Sequence, residues 1–134
     1  MSRSLASRIE AANVALIVDR NFDWVGEFFA PNYVGHGTDR DIAGRNAIRR
    51  FLGTLLRAFP DLEIEVEILV NARDRVAWQR KLRATHTRNY KGFAATGRSI
   101  VWRDMVTSRF RNGLIAEDWV MTDLAERLLL ARKR

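Results

Sequence analysis

The chain contains no cysteine, only two prolines and two histidines, and no run of apolar residues longer than five. Without cysteine there can be no disulfide, no thiolate-bound zinc and no thiol nucleophile. Apolar runs this short cannot cross a bilayer or form the core of a secretory leader. The expectation is therefore a cytoplasmic protein with no membrane partner. His36 and His86 lie far apart, with neither an H-x-H nor an H-x-x-x-H spacing, so no metal site is expected. No glycine-rich loop follows a strand and opens a helix, and no G-x-S-x-G elbow occurs, which removes phosphate-cradling and serine-nucleophile motifs.

What is present is an ordinary globular composition. The chain has 134 residues, 47% hydrophobic and 29% charged, enough for one domain over 1–134 and too few for two. The formal net charge is +7, and 20 of the 23 basic residues are arginine. Glu63, Glu65, Glu67, Asp74, Asp104 and Asp118 interrupt the arginines, and Arg132-Lys133-Arg134 is the one basic run. A nucleic-acid partner needs a continuous positive face, so none is expected.

The spacing of apolar residues predicts a helix over 4–20, with Ser4 as its N-cap and Leu5, Ile9, Ala12 and Leu16 on one stripe. A short helix over 22–30 is expected to stop at Pro31, and 33–37 reads as a brief extended piece. Ile48, Phe51, Leu52, Leu55, Leu56 and Phe59 mark a strongly amphipathic helix over 45–59, ended by Pro60. The period then changes to two. Strands are expected over 62–70, 76–88, 99–111 and 114–123, before a short terminal helix carrying Leu124, Leu128 and Leu129. Three helices followed by a four-stranded antiparallel meander make an α+β domain.

Asn112-Gly113 is a strong hairpin signal. Carried along both strands without interruption, a two-residue loop places Trp102 opposite Asp123, Asp104 opposite Met121 and Val106 opposite Trp119, all on the helix-covered face. Arg103, Met105, Thr107, Arg109, Asp118 and Thr122 then fall on the other face. Pairing Glu65 with Lys81 and Glu63 with Arg83 registers the first hairpin by charge, and puts Val76, Trp78, Arg80, Leu82, Ala84 and His86 on the covered side. Buried charge is costly unless paired, so Arg80, Asp104, Asp123 and His86 each need a reason to be there. An Arg80–Asp104 ion pair and a hydrogen-bonded His86 would be structural reasons. Asp123 fits two roles on the residues alone: a proton-exchanging carboxylate in apolar surroundings, or the N-cap of the terminal helix.

The segments "FAPNYVGHG", "FPDLEIEVEILVNARDRVAWQ", "ATHTRNYKGFAATGRSI" and "FRNGLIAEDWVMTDL" span about residues 28–124. Through them the chain resembles the SnoaL-like polyketide cyclases of the nuclear transport factor 2-like superfamily. The resemblance implies a cone-shaped, curved antiparallel sheet wrapped around the N-terminal helices, one apolar cavity, and a homodimer packed through the sheet. It also implies ring closure by intramolecular aldol condensation without metal or cofactor. Asp123 matches the family's general acid/base, while His36 and His86 match its "Y-V-x-H" and "T-H" histidines and become the other candidate catalytic groups. Departures from the pattern are Gln79, where an arginine is usual, and Phe93-Ala94-Ala95, where a proline is common.

The expected activity is that of a cofactor-independent cyclase or isomerase acting on a hydrophobic carbonyl compound. Trp78, Arg80, Trp102, Asp104, Trp119 and Met121 are its candidate substrate-binding residues. Two alternatives stand beside it. One is an epoxide hydrolase or hydratase/dehydratase in which Asp104, Arg80 and Asp123 activate water. The other is a non-catalytic small-molecule binding module.

Overall fold

The computed structural model describes residues 4–132. Lys133 and Arg134, two of the three residues of the basic tail, lie outside them. Helix α1 (Leu5–Asn13) opens on Ser4, whose side chain accepts a hydrogen bond from the Ser7 amide. It widens into a π-helical turn over Val14–Val18 rather than continuing uniformly to residue 20. A 3-10 turn (Phe22–Trp24) and the single-turn helix α2 (Val25–Phe28) follow. Then come strands β1 (Phe29–His36) and β2 (Asp41–Ala43), helix α3 (Arg45–Ala58), and strands β3 (Glu63–Ala72), β4 (Arg75–Thr85), β5 (Ser99–Arg111) and β6 (Leu114–Thr122). Helix α4 (Leu124–Arg132) closes the described chain. Among the described residues no helix is long and apolar enough to cross a membrane.

The strands form one six-stranded sheet in the order β2-β1-β6-β5-β4-β3. The expected meander β3–β6 is present, but the sheet is mixed rather than wholly antiparallel, because β1 runs parallel to β6 and carries β2 on its far edge. Pro31 lies inside β1 rather than ending a helix. The β1–β6 pairing is interrupted between Phe29 and Val34, and a residue without an N–H is tolerated at such an irregularity. The charge-based register of the first hairpin holds, with Glu63 opposite Arg83 and Glu65 opposite Lys81.

The register of the last hairpin is corrected. Phe110 pairs with Ile115, but Arg109 pairs with Glu117, so Ala116 is an extra residue in β6. A bulge of one residue turns every later side chain of that strand to the opposite face. Asp118 is buried as a result, while Trp119 and Met121 are 38% and 64% exposed. The core lies between the covered face of the sheet and the helices. Ile48, Leu52, Leu55 and Leu56 of α3 and the wholly buried Phe59 pack with Leu82, Ile100, Trp102 and Val106.

Candidate functional site

The covered face carries a connected set of polar side chains inside this apolar core. Arg80 of β4 and Asp104 of β5 are direct cross-strand partners, and the Arg80 Nε donates to Asp104 Oδ2 at 2.8 Å. Arg80 also donates through Nη1 to Asn13 Oδ1 at 2.9 Å. Asn13 ends α1, where the helix starts to widen, and its own amide nitrogen is held by the Ile9 carbonyl. The ion pair foreseen for Arg80 and Asp104 is present, nearly buried on both sides. Such a pair keeps both charges inside only because each satisfies the other. One oxygen is left over, since Asp104 Oδ1 is buried without a partner among the described residues.

A second branch surrounds Asp118. Tyr33 of β1 donates its hydroxyl to Asp118 Oδ2 at 2.8 Å, and Ser108 of β5 donates to Oδ1. Ser108 in turn accepts from the Trp78 indole nitrogen at 3.0 Å. Burial pushes the Asp118 carboxyl above its usual range, opposed by the Ser108 and Tyr33 hydrogen bonds and the Arg80 charge. The Tyr33 phenol is driven up as well, first by burial and then by Asp118.

At the far end of β4 the chain places His86, wholly buried and stacked on Phe59 with ring centroids 5.3 Å apart. The Thr96 amide donates to its Nδ1 at 3.3 Å. Burial lowers the ring from the usual histidine value, opposed by the Arg88 backbone, and with Nδ1 accepting from the Thr96 amide, the proton of a neutral ring belongs on Nε2. That Nε2 is buried without a partner among the described residues. Phe59 also touches Tyr90 and Trp102. The Tyr90 phenol is raised to about 12, first by burial and then by the charges of Asp104 and Asp39.

Five of the nine candidate residues therefore share the covered face: Trp78, Arg80, Trp102, Asp104 and His86. Three do not. His36 is on the outer face with its Nε2 2.6 Å from Glu117 Oε2 and its Nδ1 3.2 Å from Asp41 Oδ2, stacked on Trp119. Trp119 and Met121 join it there because of the Ala116 bulge, and their placement beside the interior cluster is corrected. Asp123 is the ninth. It lies beside Arg103 rather than Trp102, accepting from the Arg103 amide at 2.8 Å and from Arg127 Nε at 3.2 Å. Both of its oxygens are engaged at the rim, so the interior carboxylates are Asp104 and Asp118. Asn13, Tyr33, Tyr90, Ser108 and Asp118 were not foreseen. Ser108 was the legible one, since it continues the alternation of Trp102, Asp104 and Val106. Among the described residues no cluster of His, Asp and Glu is placed to hold a metal ion.

Residues 7–129 match the family model of the SnoaL-like polyketide cyclases. AclR, a proposed hydroxylase from Streptomyces galilaeus, superposes with a TM-score of 0.79 at 26% identity, covering 98% of this chain and 88% of that one. A SnoaL-like polyketide cyclase from Agrobacterium tumefaciens gives 0.79 at 25% identity, covering 96% and 99%. IdmH, a proposed polyketide cyclase from Streptomyces antibioticus, gives 0.80 at 23% identity over 98% and 100%, which speaks to the fold alone. No curated protein matches the sequence.

Proposed function

The chain belongs to the SnoaL-like polyketide cyclase family, and from that premise we propose that it is a cofactor-independent cyclase or isomerase for a hydrophobic carbonyl compound. One observation carries the reading: a buried carboxylate, Asp104, has one oxygen fixed by Arg80 and the other unpartnered in apolar surroundings. Asp104 Oδ1 takes a proton alpha to a carbonyl. The electron pair of that C–H bond moves into an enolate, whose oxygen accepts a hydrogen bond from the Tyr90 hydroxyl. The enolate carbon then attacks a second carbonyl of the same molecule, and the resulting alkoxide recovers the proton from Asp104. Each proton transfer by a positioned side chain contributes about 10²–10⁴-fold. His86 follows the last residue of β4, three covered-face positions beyond Arg80, and its Nε2, unpartnered among the described residues, is a second candidate polar contact for the substrate. Asp104 replaces Asp123 as the proposed acid/base because its free oxygen is in the interior.

The test is solvent-deuterium exchange into aromatic 1,3-diketones and β-ketoesters, followed by mass spectrometry. Catalysed exchange that disappears in Asp104→Asn is expected. Exchange that survives in that variant but is lost in Asp123→Asn would return the role to Asp123.

A second reading has its own support. Arg80 acts on both Asp104 and Asp118, and Tyr33 adds a hydroxyl beside Asp118. A carboxylate paired with a guanidinium, with a second carboxylate within reach of the same positive charge, can orient and deprotonate water, as an epoxide hydrolase or hydratase requires. Incorporation of ¹⁸O from solvent into product separates the two chemistries.

The partner surface fits a homodimer. Met105, Trp119 and Met121 form an exposed apolar strip on the outer face of the sheet, flanked by the opposed charges of the β3 glutamates and the β4 basic residues. Met121→Glu is expected to shift a sedimentation profile toward monomer, and an unchanged profile would remove this face from consideration.

A further inference from the structure

Beside the N-terminal end of β5 there is a groove of about 690 Å³, lined by Arg98, Ser99, Ile100, Val101, Arg127, Leu130 and Ala131. It is separate from the interior cluster, none of whose polar residues lines it.

The groove exists because two neighbouring strands differ in length. β6 ends at Thr122, opposite Asp104, while β5 begins five residues earlier at Ser99. Asp123 completes one more rung, its amide donating to the Arg103 carbonyl and its carboxylate accepting from the Arg103 amide. After that the chain turns into α4. Backbone groups along a strand alternate between its two neighbours. Arg103 faces the β6 side, whereas Phe110, an even-numbered residue, donates its amide the other way, to Asp74 in the turn before β4. Val101 and Ser99 therefore face the β6 side too, where no strand remains. Among the described residues no hydrogen bond reaches the N–H or C=O of either from α4 or from any side chain. This is an unpaired strand edge two rungs long, walled by a helix.

Its side chains say what would fit. Val101 and Leu130 are 36% and 50% exposed and supply an apolar floor and wall. Arg98 makes no ion pair among the described residues, and Arg127 spends only its Nε on Asp123, leaving two nitrogens free to donate. No carboxylate lines the groove. We propose that it docks an extended, acidic segment of a partner protein, which adds as a short strand beside Ser99 and Val101 and sets its carboxylates on Arg98 and Arg127. Strand addition draws affinity from main-chain hydrogen bonds and selectivity from the flanking pockets. Bidentate guanidinium–carboxylate contacts fix the register.

The experiment uses the full chain labelled with ¹⁵N and a synthetic peptide, acetyl-Thr-Val-Glu-Val-Glu-Val with a free C-terminal carboxylate. Amide shifts centred on Ser99 and Val101, with slowed hydrogen exchange at Val101, are expected on titration. Arg98→Gln should weaken binding by about tenfold, the scale of one charge-assisted hydrogen bond. A peptide with lysine for both glutamates should not bind. Four results would overturn the proposal: no shift at residues 99–101, equal binding of the lysine peptide, the same shifts from decanoate alone, or the same shifts from raising the protein concentration without peptide. Decanoate would mark a small amphiphile as the occupant, and concentration dependence would mark a second copy of the chain.

Discussion

The hydroxyl of Tyr33 fills the space in which a side chain at Gly35 would begin: a Cβ built there lies 2.5 Å from the phenol oxygen. The same hydroxyl holds Asp118 at 2.8 Å, so the glycine is what lets a tyrosine two residues away on β1 reach across to β6. Gly35→Ala should displace the hydroxyl and leave one oxygen of a buried carboxylate unsatisfied, destabilising the fold by roughly 1–3 kcal/mol. Urea unfolding measures it. Adding Tyr33→Phe to Gly35→Ala should cost little more, because the bond is already lost; fully additive effects would show that the contact is not shared.

The Arg80–Asp104 pair predicts an asymmetry. Either Arg80→Met or Asp104→Leu alone strands an uncompensated charge and should destabilise by about 3–5 kcal/mol. The double substitution should recover most of that loss, since apolar neighbours then replace two charges at once. A double variant less stable than either single one would contradict the pairing.

The two histidines should respond to pH with opposite sign. Glu117 above all raises His36 from 6.5, so its contribution to stability is complete below 6.5 and is lost as pH rises through the folded value. His36 in turn lowers Glu117 from 4.5, a contribution present above 4.5 and lost as pH falls through its folded value. Burial lowers His86 from 6.5, so the unfolded chain takes the proton first and stability falls as pH drops below 6.5. Urea midpoints between pH 5 and 8 should therefore decline more steeply on acidification in His36→Gln than in the wild type, and less steeply in His86→Gln. Matching slopes in the two variants would refute the assignment.

Phe59, wholly buried, touches His86, Tyr90 and Trp102. Phe59→Ala should destabilise by about 3–5 kcal/mol, and the loss should be accompanied by altered tryptophan fluorescence from Trp102. Fluorescence that changes without a loss of stability would mean that the site collapses onto the vacancy.

Much of this fold was legible because period and composition agreed. The α3 stripe, the charged ladder from Glu63 to Lys81 and the Asn112-Gly113 turn each specify one structure, and the turn adopts the positive φ angles at both residues that a tight hairpin requires. What escaped is what one residue can change. Ala116 looks like any other strand residue, yet as a bulge it exchanges the inner and outer sets of β6, sending Asp118 inward and Trp119 and Met121 out. A carboxylate so buried is then explained by Tyr33 and Ser108, partners that no local pattern could pair with it. Only the second half of β1 was legible, as the extended piece over 33–37, and its place beside β6 was not. Its proline suggested a helix stop, and its partner strand lies at the other end of the chain.

That remote pairing bears on the order in which the molecule is made. Tyr33 and Asp118 are 85 positions apart, and His36 and Glu117 are 81 apart, whereas the strands from β3 to β6 join through neighbours. Non-local contacts carry the larger loop-closure penalty and form late. A nascent chain can assemble β3, β4 and β5 while β1 waits, and only the emergence of β6 lets the first strand dock. Asp118 reaches its tyrosine in that same late event, so a chain truncated before residue 118 would hold Arg80 and Asp104 together but lack the wall that encloses them.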